Sequence, residues 1–170
     1  MNKKITALLL VTLLFSPNLF SWGHRVHNEA TWNVCRTLLP HFGSNFENYM
    51  KYIADNGSLP DKWKFYDSNE SPNHYCDYDF YAEKDLIDLN NPFEKVFRYY
   101  GSDFMKKNGT VIWAIEEYYK LLVDAFENQD FSSALVYMSA LSHYIQDIHQ
   151  PFHTTKNYDG QLTGNKGIHA

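Results

Sequence analysis

The sequence predicts a single all-α domain of about five helices joined by long irregular loops. Three observations support this fold class. Apolar residues recur at helical spacing in several segments, and prolines or polar, glycine-containing stretches end those segments. At 170 residues, 44% of them hydrophobic, the chain also has enough apolar side chains for one sizeable core.

The first 21 residues have the features of a secretory signal peptide. Two lysines precede an apolar run at residues 5–15, which is too short to cross a bilayer comfortably. Ser21 then offers a small residue for cleavage before Trp22. We therefore expect a secreted or periplasmic protein whose mature domain covers residues 22–170, with an uncleaved membrane anchor as the alternative.

Export would place Cys35 and Cys76 in a compartment where disulfides form. Two cysteines do not by themselves establish a pair. A thiolate metal ligand at Cys76 lacks the support of a C-x-x-C motif or a second nearby cysteine. Buried or disulfide-bonded cysteines are therefore the favoured interpretations.

The N-terminal half is predicted to hold two helices and one long loop. Residues 24–39 form the first helix, because apolar residues line one side of it and Pro40 marks its end. A weaker helical pattern covers residues 45–54. Residues 56–91 are rich in Asp, Asn, Pro and Tyr without sustained periodicity, which indicates a loop whose unusual length is typical of functional segments.

Three further helices are predicted in the C-terminal half, at residues 92–105, 111–128 and 131–149. Short polar stretches separate them. Pro151 stops the last one, because proline cannot continue the hydrogen-bond ladder. The glycine-containing tail, residues 154–170, has no apolar periodicity and is predicted to be an irregular loop.

The last predicted helix and the turn after it carry a concentration of metal-binding residue types. His143 and Asp147 are four residues apart, which puts both on one helix face, as two ligands of one cation require. Pro151 then turns the chain, so that His153 can bind a neighbouring metal. His149 lies about 240° around the helix from His143 and is left out as a ligand.

Further ligands must come from other segments. The candidates are Asp61 and His74 in the long loop and His169 in the tail, whereas His41 has no partner pattern and is predicted to lie on the surface. Carboxylate oxygen together with imidazole nitrogen suits zinc best, although residue type alone leaves manganese and iron open. The spacing does not assemble these residues, but a long loop would allow them to converge.

Together these motifs resemble a known superfamily. The motif set is a Trp-Gly at the mature N-terminus, an aspartate in a short loop, an isolated histidine, His-x3-Asp-x5-His, and a later histidine in a glycine-containing loop. It is similar to the trinuclear-zinc superfamily that joins single-strand-specific nucleases of the S-one/P-one type to bacterial zinc-dependent phospholipases C. The resemblance runs from Trp22 to Ala170 and implies the all-α fold of that superfamily.

The resemblance implies three zinc ions. The first would be held by Asp61, His74, His143 and Asp147; the second by His153 and His169; and the third by the amine and carbonyl of Trp22, His27 and the other oxygen of Asp147. The free amine of Trp22 exists only after the leader is removed, so secretion would complete the site.

Eight of the nine ligands that the family uses are matched. The ninth, an acidic residue four positions after His169, would fall beyond Ala170. The domain is therefore expected to be incomplete at its C-terminus. With only two protein ligands, the second zinc would be held weakly, and the activity of this chain by itself stays open.

The resemblance also implies a reaction, the hydrolysis of phosphodiesters by attack of a metal-bridging hydroxide on phosphorus. Asp61 would orient or deprotonate the attacking water. Lys64 stands where the nucleases have an arginine, and it would contact phosphate without the bidentate fork of an arginine. The alternative for Lys64 is an exposed loop lysine with no such role.

Nucleic acid is favoured as the substrate. The five-residue step from Trp22 to His27 is similar to that of the nucleases and shorter than that of the phospholipases. Tyr75 occupies the place of an aromatic residue that stacks on a base, unless it packs into the core instead. Asp77 matches an acid that hydrogen-bonds a base edge. Stacking on tyrosine would favour unpaired strands, so a single-strand endonuclease acting on DNA or RNA is predicted.

Two alternatives stay open. One is a phospholipase C that acts on phospholipid head groups and needs an exposed apolar rim near the metals. The other is a non-catalytic zinc-binding fragment. The net charge of −5 provides no global basic field for long duplexes, so nucleic-acid or nucleotide recognition would be local. No stable protein partner is implied.

Overall fold

The computed structural model describes residues 23–82 and 92–169. Within these ranges the chain forms eight α-helices and no strand, which confirms the all-α prediction. The helices are, in chain order, α1 (His24–Phe42), α2 (Glu47–Asp55), α3 (Leu59–Trp63), α4 (Tyr78–Ala82), α5 (Phe93–Tyr100), α6 (Ser102–Asn108), α7 (Val111–Glu127) and α8 (Phe131–Ile148). Short 3₁₀ helices lie at Ser44–Phe46, Ser71–His74 and Pro151–His153. The predicted leader and Trp22 lie outside the described residues.

The first helix is longer than predicted. α1 continues through Pro40 and ends at Phe42, so the predicted end at residue 39 is wrong. A proline in the last turn removes one backbone donor but does not prevent the two following residues from staying helical. The N–H of Gly43 then donates to the carbonyl of Leu39 at 3.0 Å, with a φ of +80° that favours glycine.

Two other helix predictions also need correction. The segment predicted as one loop at residues 56–91 contains α3, a 3₁₀ turn and α4 in its described part. Its α-helices have five residues each, too few to show a periodic pattern. The helix predicted at residues 92–105 is divided into α5 and α6 at Gly101, whose φ of +77° takes the backbone out of the helical conformation.

α8 is the central helix of the fold. It packs along α7 and also contacts α1, α2 and α3. Two hydrophobic clusters flank it. One contains Met105, Val111, Trp113, Ala140 and Tyr144, and the other contains Cys35, Phe46, Met50 and Ile53 with Leu135 and Met138 against them. Apolar contacts on both sides therefore hold the polar residues of α8 inside the protein. No helix in the described ranges combines the length and apolar character needed to cross a membrane.

The two cysteines are buried and their thiols are free. Cys35 lies in the cluster with Met50, whereas Cys76 lies in the cluster with Val111. Burial, reinforced by the charge of Asp77, raises the pKa of Cys76 to about 12, which disfavours a thiolate ligand at neutral pH. The sequence favoured either buried or disulfide-bonded cysteines, and in the structure the two cysteines are buried separately as free thiols.

Candidate metal centre

α8 directs a histidine and an aspartate into the protein interior. His143 and Asp147 are 0% and 1% exposed, and Nε2 of His143 lies 3.1 Å from Oδ2 of Asp147. The four-residue spacing places both side chains on one face of the helix. Asp130 stabilises the start of α8, since its side chain accepts a hydrogen bond from the N–H of Ser133.

One oxygen of Asp147, Oδ2, faces two histidines and a second aspartate. Nδ1 of His74 lies 2.9 Å from this oxygen and 3.0 Å from Nε2 of His143. Oδ1 of Asp61 lies 3.7 Å from Nδ1 of His74 and 3.8 Å from Nε2 of His143. Three elements, α3, the 3₁₀ helix Ser71–His74 and α8, thus bring four predicted ligands together.

The other oxygen of Asp147, Oδ1, faces a second set of histidines. Nδ1 of His153 lies 3.3 Å from it and Nε2 of His27 lies 3.6 Å from it. His27 comes from α1 and is buried, while His153 comes from the 3₁₀ helix after Pro151. His169 lies next to His153, with ring centroids 5.0 Å apart. Asp147 therefore faces two groups of donors, one with each oxygen.

Buried oxygens fix the orientation of two of these histidines. Nδ1 of His27 lies 2.9 Å from Oε1 of Gln146, and Nδ1 of His143 lies 2.9 Å from the carbonyl oxygen of Gly57. An amide oxygen can only accept a hydrogen bond, so each ring carries its proton on Nδ1. The lone pair on Nε2 is then available at the side of Asp147, as a metal ligand requires.

Gly57 allows α1 to approach the turn after α2. A Cβ at this position would lie 2.6 Å from Oγ1 of Thr31 and 3.0 Å from the carbonyl oxygen of His27. Oγ1 of Thr31 accepts a hydrogen bond from Nε2 of Gln146 at 2.9 Å. The close approach of α1 to this turn therefore helps to hold in place the side-chain oxygen of Gln146 and the carbonyl oxygen of Gly57, which orient His27 and His143.

The chemistry and spacing of these donors fit zinc. Four ligands about 2.0–2.1 Å from a tetrahedral zinc lie about 3.3 Å from one another. The donors around Oδ2 of Asp147 are 2.9 to 3.8 Å apart. The ligand atoms of His74, His143 and Asp147, and those of His27, Asp61 and His143, lie within 4.8 Å of one another in each group. Nδ1 of His153 and Nε2 of His169 are buried without a hydrogen-bond partner. Burying such atoms costs free energy unless they bind something else, such as a metal ion.

The protonation states also suit metal binding. Burial opposes ionisation of Asp147, yet its close contacts with His143, His153 and His74 hold its pKa well below the usual range. Burial, together with the charge of His143, lowers the pKa of His27 to about 4. Burial acts in the same direction on His74, but its contacts with the carboxylates of Asp147 and Glu70 outweigh burial and raise its pKa. At neutral pH Asp147 is therefore ionised and His27 is neutral, the forms that bind metal.

Asp61 lies at the solvent side of the cluster, with its side chain 21% exposed. Nζ of Lys64 is 2.7 Å from Oδ1 of Asp61, and Nδ1 of His24 is 3.9 Å from Oδ2. Burial opposes ionisation of Asp61, but the charge of His143 and the contact with Lys64 outweigh it and lower the pKa. Asp61 is thus an ionised carboxylate that solvent can reach.

A cleft of about 620 Å³ opens beside the donors. Its lining includes His74, His153, His169, Lys64, Tyr75, Asp77, Phe80, Lys107, Lys156 and Tyr158. Tyr75 is half-buried and its hydroxyl donates to the carbonyl of Lys106 at 3.1 Å, so it lines the cleft and lies outside the hydrophobic clusters. Asp77 is 6% exposed, its Oδ1 has no hydrogen-bond partner, and burial reinforced by Asp79 raises its pKa to about 6.

The structure thus brings the predicted ligands of the described residues to one region, while Trp22 lies outside those residues. His149 is exposed and its Nδ1 lies 2.6 Å from the carbonyl oxygen of Ile145, and His41 is exposed as well.

Three residues that contribute to the site, Gln146, Gly57 and His24, were not predicted from the sequence. Because Gln146 directly precedes the predicted ligand Asp147, its position could have indicated a role at the site. Gly57 acts through its carbonyl, for which sequence has no signature.

A family model described as S1/P1 Nuclease matches residues 23–168. No curated protein and no solved structure matches the chain. The matched range contains all the proposed ligands except Trp22 and His169. The family resemblance of the sequence motifs is thereby confirmed.

Proposed function

Because the chain belongs to the S1/P1 nuclease family, whose members hydrolyse phosphoric esters, we propose that it is a zinc-dependent endonuclease that cleaves single-stranded DNA or RNA. The observation that carries this proposal is the convergence of two donor sets on the two oxygens of Asp147, beside a cleft with aromatic and cationic side chains. Phosphodiester hydrolysis needs cations that neutralise the phosphate, and specificity for unpaired strands needs a surface that holds a base.

Three zinc ions are proposed, held by the residues described above. The first would be held by Asp61, His74, His143 and Asp147, the second by His153 and His169, and the third by His27, Asp147 and the amine and carbonyl of Trp22. The Trp22 amine forms when the leader is cleaved, so we propose that the enzyme matures during export to the periplasm or the outside of the cell. When bound, zinc would lower the pKa of a coordinated water to near 7 and neutralise charge that develops on the phosphate.

Asp61 and Lys64 are proposed as the catalytic side chains. Asp61 is ionised and partly open to solvent, so it can orient the attacking water or accept its proton. Lys64 lines the cleft beside Asp61 and can place its charge against a phosphate oxygen. Because its ammonium group is a point charge, this contact would depend on charge more than on orientation.

Tyr75 and Asp77 are proposed to hold the base. Tyr75 presents a half-buried ring in the wall of the cleft, and a base that stacks on such a ring gains ~1–3 kcal/mol. Asp77 offers an unpartnered oxygen in the same cleft, which can accept a hydrogen bond from an amino or imino group of the base. Bases in a duplex are stacked and paired already, so this arrangement favours single strands.

Phospholipid hydrolysis is the second candidate, and one observation favours it. Phe65 and Tyr66 directly follow Lys64 and are 83% and 88% exposed. They are an exposed apolar pair next to a residue of the cleft, and a phospholipase C requires exposed apolar side chains near its metals. Aromatic side chains at such a position suit the boundary between water and a lipid surface.

The first test combines metal analysis with hydrolysis assays. The full chain should contain zinc by elemental analysis and should cleave single-stranded DNA and RNA faster than duplex DNA or phosphatidylcholine vesicles. Tyr75→Ala should raise KM for single-stranded DNA ~10-fold, because the stacking surface is lost, without a change in zinc content. His149→Ala is the matched control, because this exposed histidine directly follows α8 and contacts none of the proposed ligands that the structure describes, and it should change neither quantity.

The outcomes separate the three functions. Cleavage of the lipid alone would contradict the nuclease proposal and favour the phospholipase. Zinc binding without hydrolysis of any of these substrates would favour the non-catalytic alternative.

A further inference from the structure

A buried carboxylate that is not among the proposed ligands lies beside His74. Glu70 is 6% exposed, and its Oε1 is 3.2 Å from Nε2 of His74. The same oxygen accepts a hydrogen bond from the hydroxyl of Tyr144 at 2.6 Å, and Oε2 accepts one from Nδ2 of Asn73 at 3.1 Å. A glutamate is rarely buried to this degree unless its carboxylate has partners that offset the loss of hydration.

The position of Glu70 determines which nitrogen of His74 is free to bind. Nε2 of His74 is buried and lies at hydrogen-bond distance from Glu70, although the two groups are not well aligned. A carboxylate only accepts hydrogen bonds, so Glu70 favours the proton on Nε2 and leaves the lone pair on Nδ1. Nδ1 is the atom that faces Asp147 and His143, at 2.9 and 3.0 Å.

His74 differs in this respect from the other two oriented histidines. The Nδ1 atoms of His27 and His143 contact the neutral oxygens of Gln146 and Gly57. Nε2 of His74 instead contacts the carboxylate of Glu70. A charged acceptor makes the stronger hydrogen bond and makes the imidazole a more basic ligand. It also adds negative charge to a centre in which two ligand carboxylates would face three divalent cations.

We propose that Glu70 is a positioning residue of the metal centre. It holds the proton on Nε2 of His74, directs Nδ1 toward the first metal, and offsets part of the charge of the cations. It touches neither the substrate nor the metal. This inference rests on the zinc centre of the proposed function and adds a residue that lies outside its ligand set.

A purely structural role for Glu70 is the competing explanation, because it also satisfies the Tyr144 hydroxyl and the Asn73 amide in the core. Tyr144→Phe separates the two roles. This variant removes the hydrogen bond within the core but leaves Glu70 beside His74. Glu70→Gln is the conservative variant, since it retains an oxygen that can accept from Nε2 of His74.

The experiment measures metal binding by the full chain. Glu70→Leu should bind zinc about 10–100-fold more weakly than the parent in competition with a chromophoric chelator. Its cobalt(II) form should have an altered visible spectrum, because the ring of His74 is no longer held. Glu70→Gln should recover most of the affinity and the parent spectrum, and Tyr144→Phe should stay close to the parent in both.

Stability is measured separately by urea unfolding of the metal-free proteins. If Glu70→Leu does not fold, Glu70→Asp replaces it, since its shorter side chain retains the charge but withdraws from His74. Parent-like zinc affinity together with a parent-like cobalt spectrum in the Leu or Asp variant would overturn the positioning role. So would a loss of affinity in Tyr144→Phe as large as that in Glu70→Leu, because packing alone would then explain it.

The two proposals fail in different ways. A parent protein that binds no zinc would overturn the proposed function and the role of Glu70 with it. A parent that binds zinc and cleaves single-stranded DNA, alongside unaffected Glu70 variants, would overturn only the role of Glu70.

Discussion

Asp77 carries a carboxylate in surroundings that disfavour its charge. Burial, reinforced by Asp79, raises its pKa from an ordinary value of 3.8 to about 6. Between these two values the folded protein keeps a proton that the unfolded chain has already released. Stability contributed by the protonated group is therefore lost as the pH rises through this window, the reverse of the usual behaviour of a carboxylate.

Asp77→Asn should consequently stabilise the protein at pH 7 and have little effect at pH 4. We expect a gain of roughly 1–2 kcal/mol, less than the full shift implies because the cleft opens to solvent. Urea unfolding at the two pH values measures it, with Asp124→Asn at an exposed position of α7 as the control substitution. A variant that is more stable but has a higher KM for single-stranded DNA would indicate that the carboxylate serves ligand binding. Identical pH profiles for parent and variant would contradict the raised pKa.

At the level of elements, the predicted helices agree best with the structure where apolar periodicity is long. α7 and α8 end within one residue of the predicted ranges 111–128 and 131–149. The pattern could not reveal the break at Gly101, because the apolar spacing continues across it while a single positive φ redirects the chain. α3 and α4 were missed because five residues cover little more than one helical turn.

The connection between α6 and α7 holds Tyr75 in place. The N–H of Val111 donates to the carbonyl of Tyr75 at 3.1 Å, and the N–H of Asp77 donates to the carbonyl of Asn108 at 2.7 Å. Gly109 lies between these contacts with φ +84° and ψ 158°, a conformation that is nearly restricted to glycine. A Cβ at Gly109 would overlap the backbone carbonyl of Tyr75 and lie 2.5 Å from its ring.

Gly109→Ala should therefore destabilise the protein by ~2–4 kcal/mol and raise KM for single-stranded DNA, because Tyr75 must move. Gly43→Ala is a matched control, since Gly43 has a similar φ of +80° but nothing within 4 Å of an added Cβ. It should cost ~1–3 kcal/mol of backbone strain and leave KM unchanged. Urea unfolding and steady-state kinetics give the comparison. Equal losses of stability with parent-like KM in both variants would show that the overlap with Tyr75 has no effect.

At the level of the whole molecule, sequence could predict the ligand types but not how they meet. His143 and Asp147 share a face of one helix, so their proximity followed from spacing alone. The approach of Asp61 and His74 to that face depends on how the segment between α2 and α4 folds against α8, which no local pattern encodes. The position of Glu70 could not be predicted for the same reason, because only the fold brings it to His74 and Tyr144.

The centre joins segments that are far apart in sequence through polar contacts instead of apolar ones. α1, α3, α8 and two 3₁₀ helices each contribute a side chain to it. These donors are buried or partly buried and some lack hydrogen-bond partners, so they add little stability by themselves. A bound cation would satisfy them together, and the stability of the whole domain should therefore depend on zinc.

Zinc should raise the melting temperature, and a chelator should lower it reversibly. Free zinc at about 1,000 times its Kd would add ~4 kcal/mol. The effect should shrink as the pH falls from 7 to 5, because protons compete for His74, whose pKa is raised.

A second pH effect comes from His27, which is neutral in the folded protein. Its pKa is about 4 in the fold and 6.5 ordinarily, so it contributes stability above pH 6.5 that is lost as the pH falls through 4. Differential scanning calorimetry with zinc or chelator measures both effects, and Asp147→Asn should lose the response to zinc because both donor sets depend on that carboxylate. A parent melting temperature that does not change with zinc would contradict a metal centre that holds these elements together.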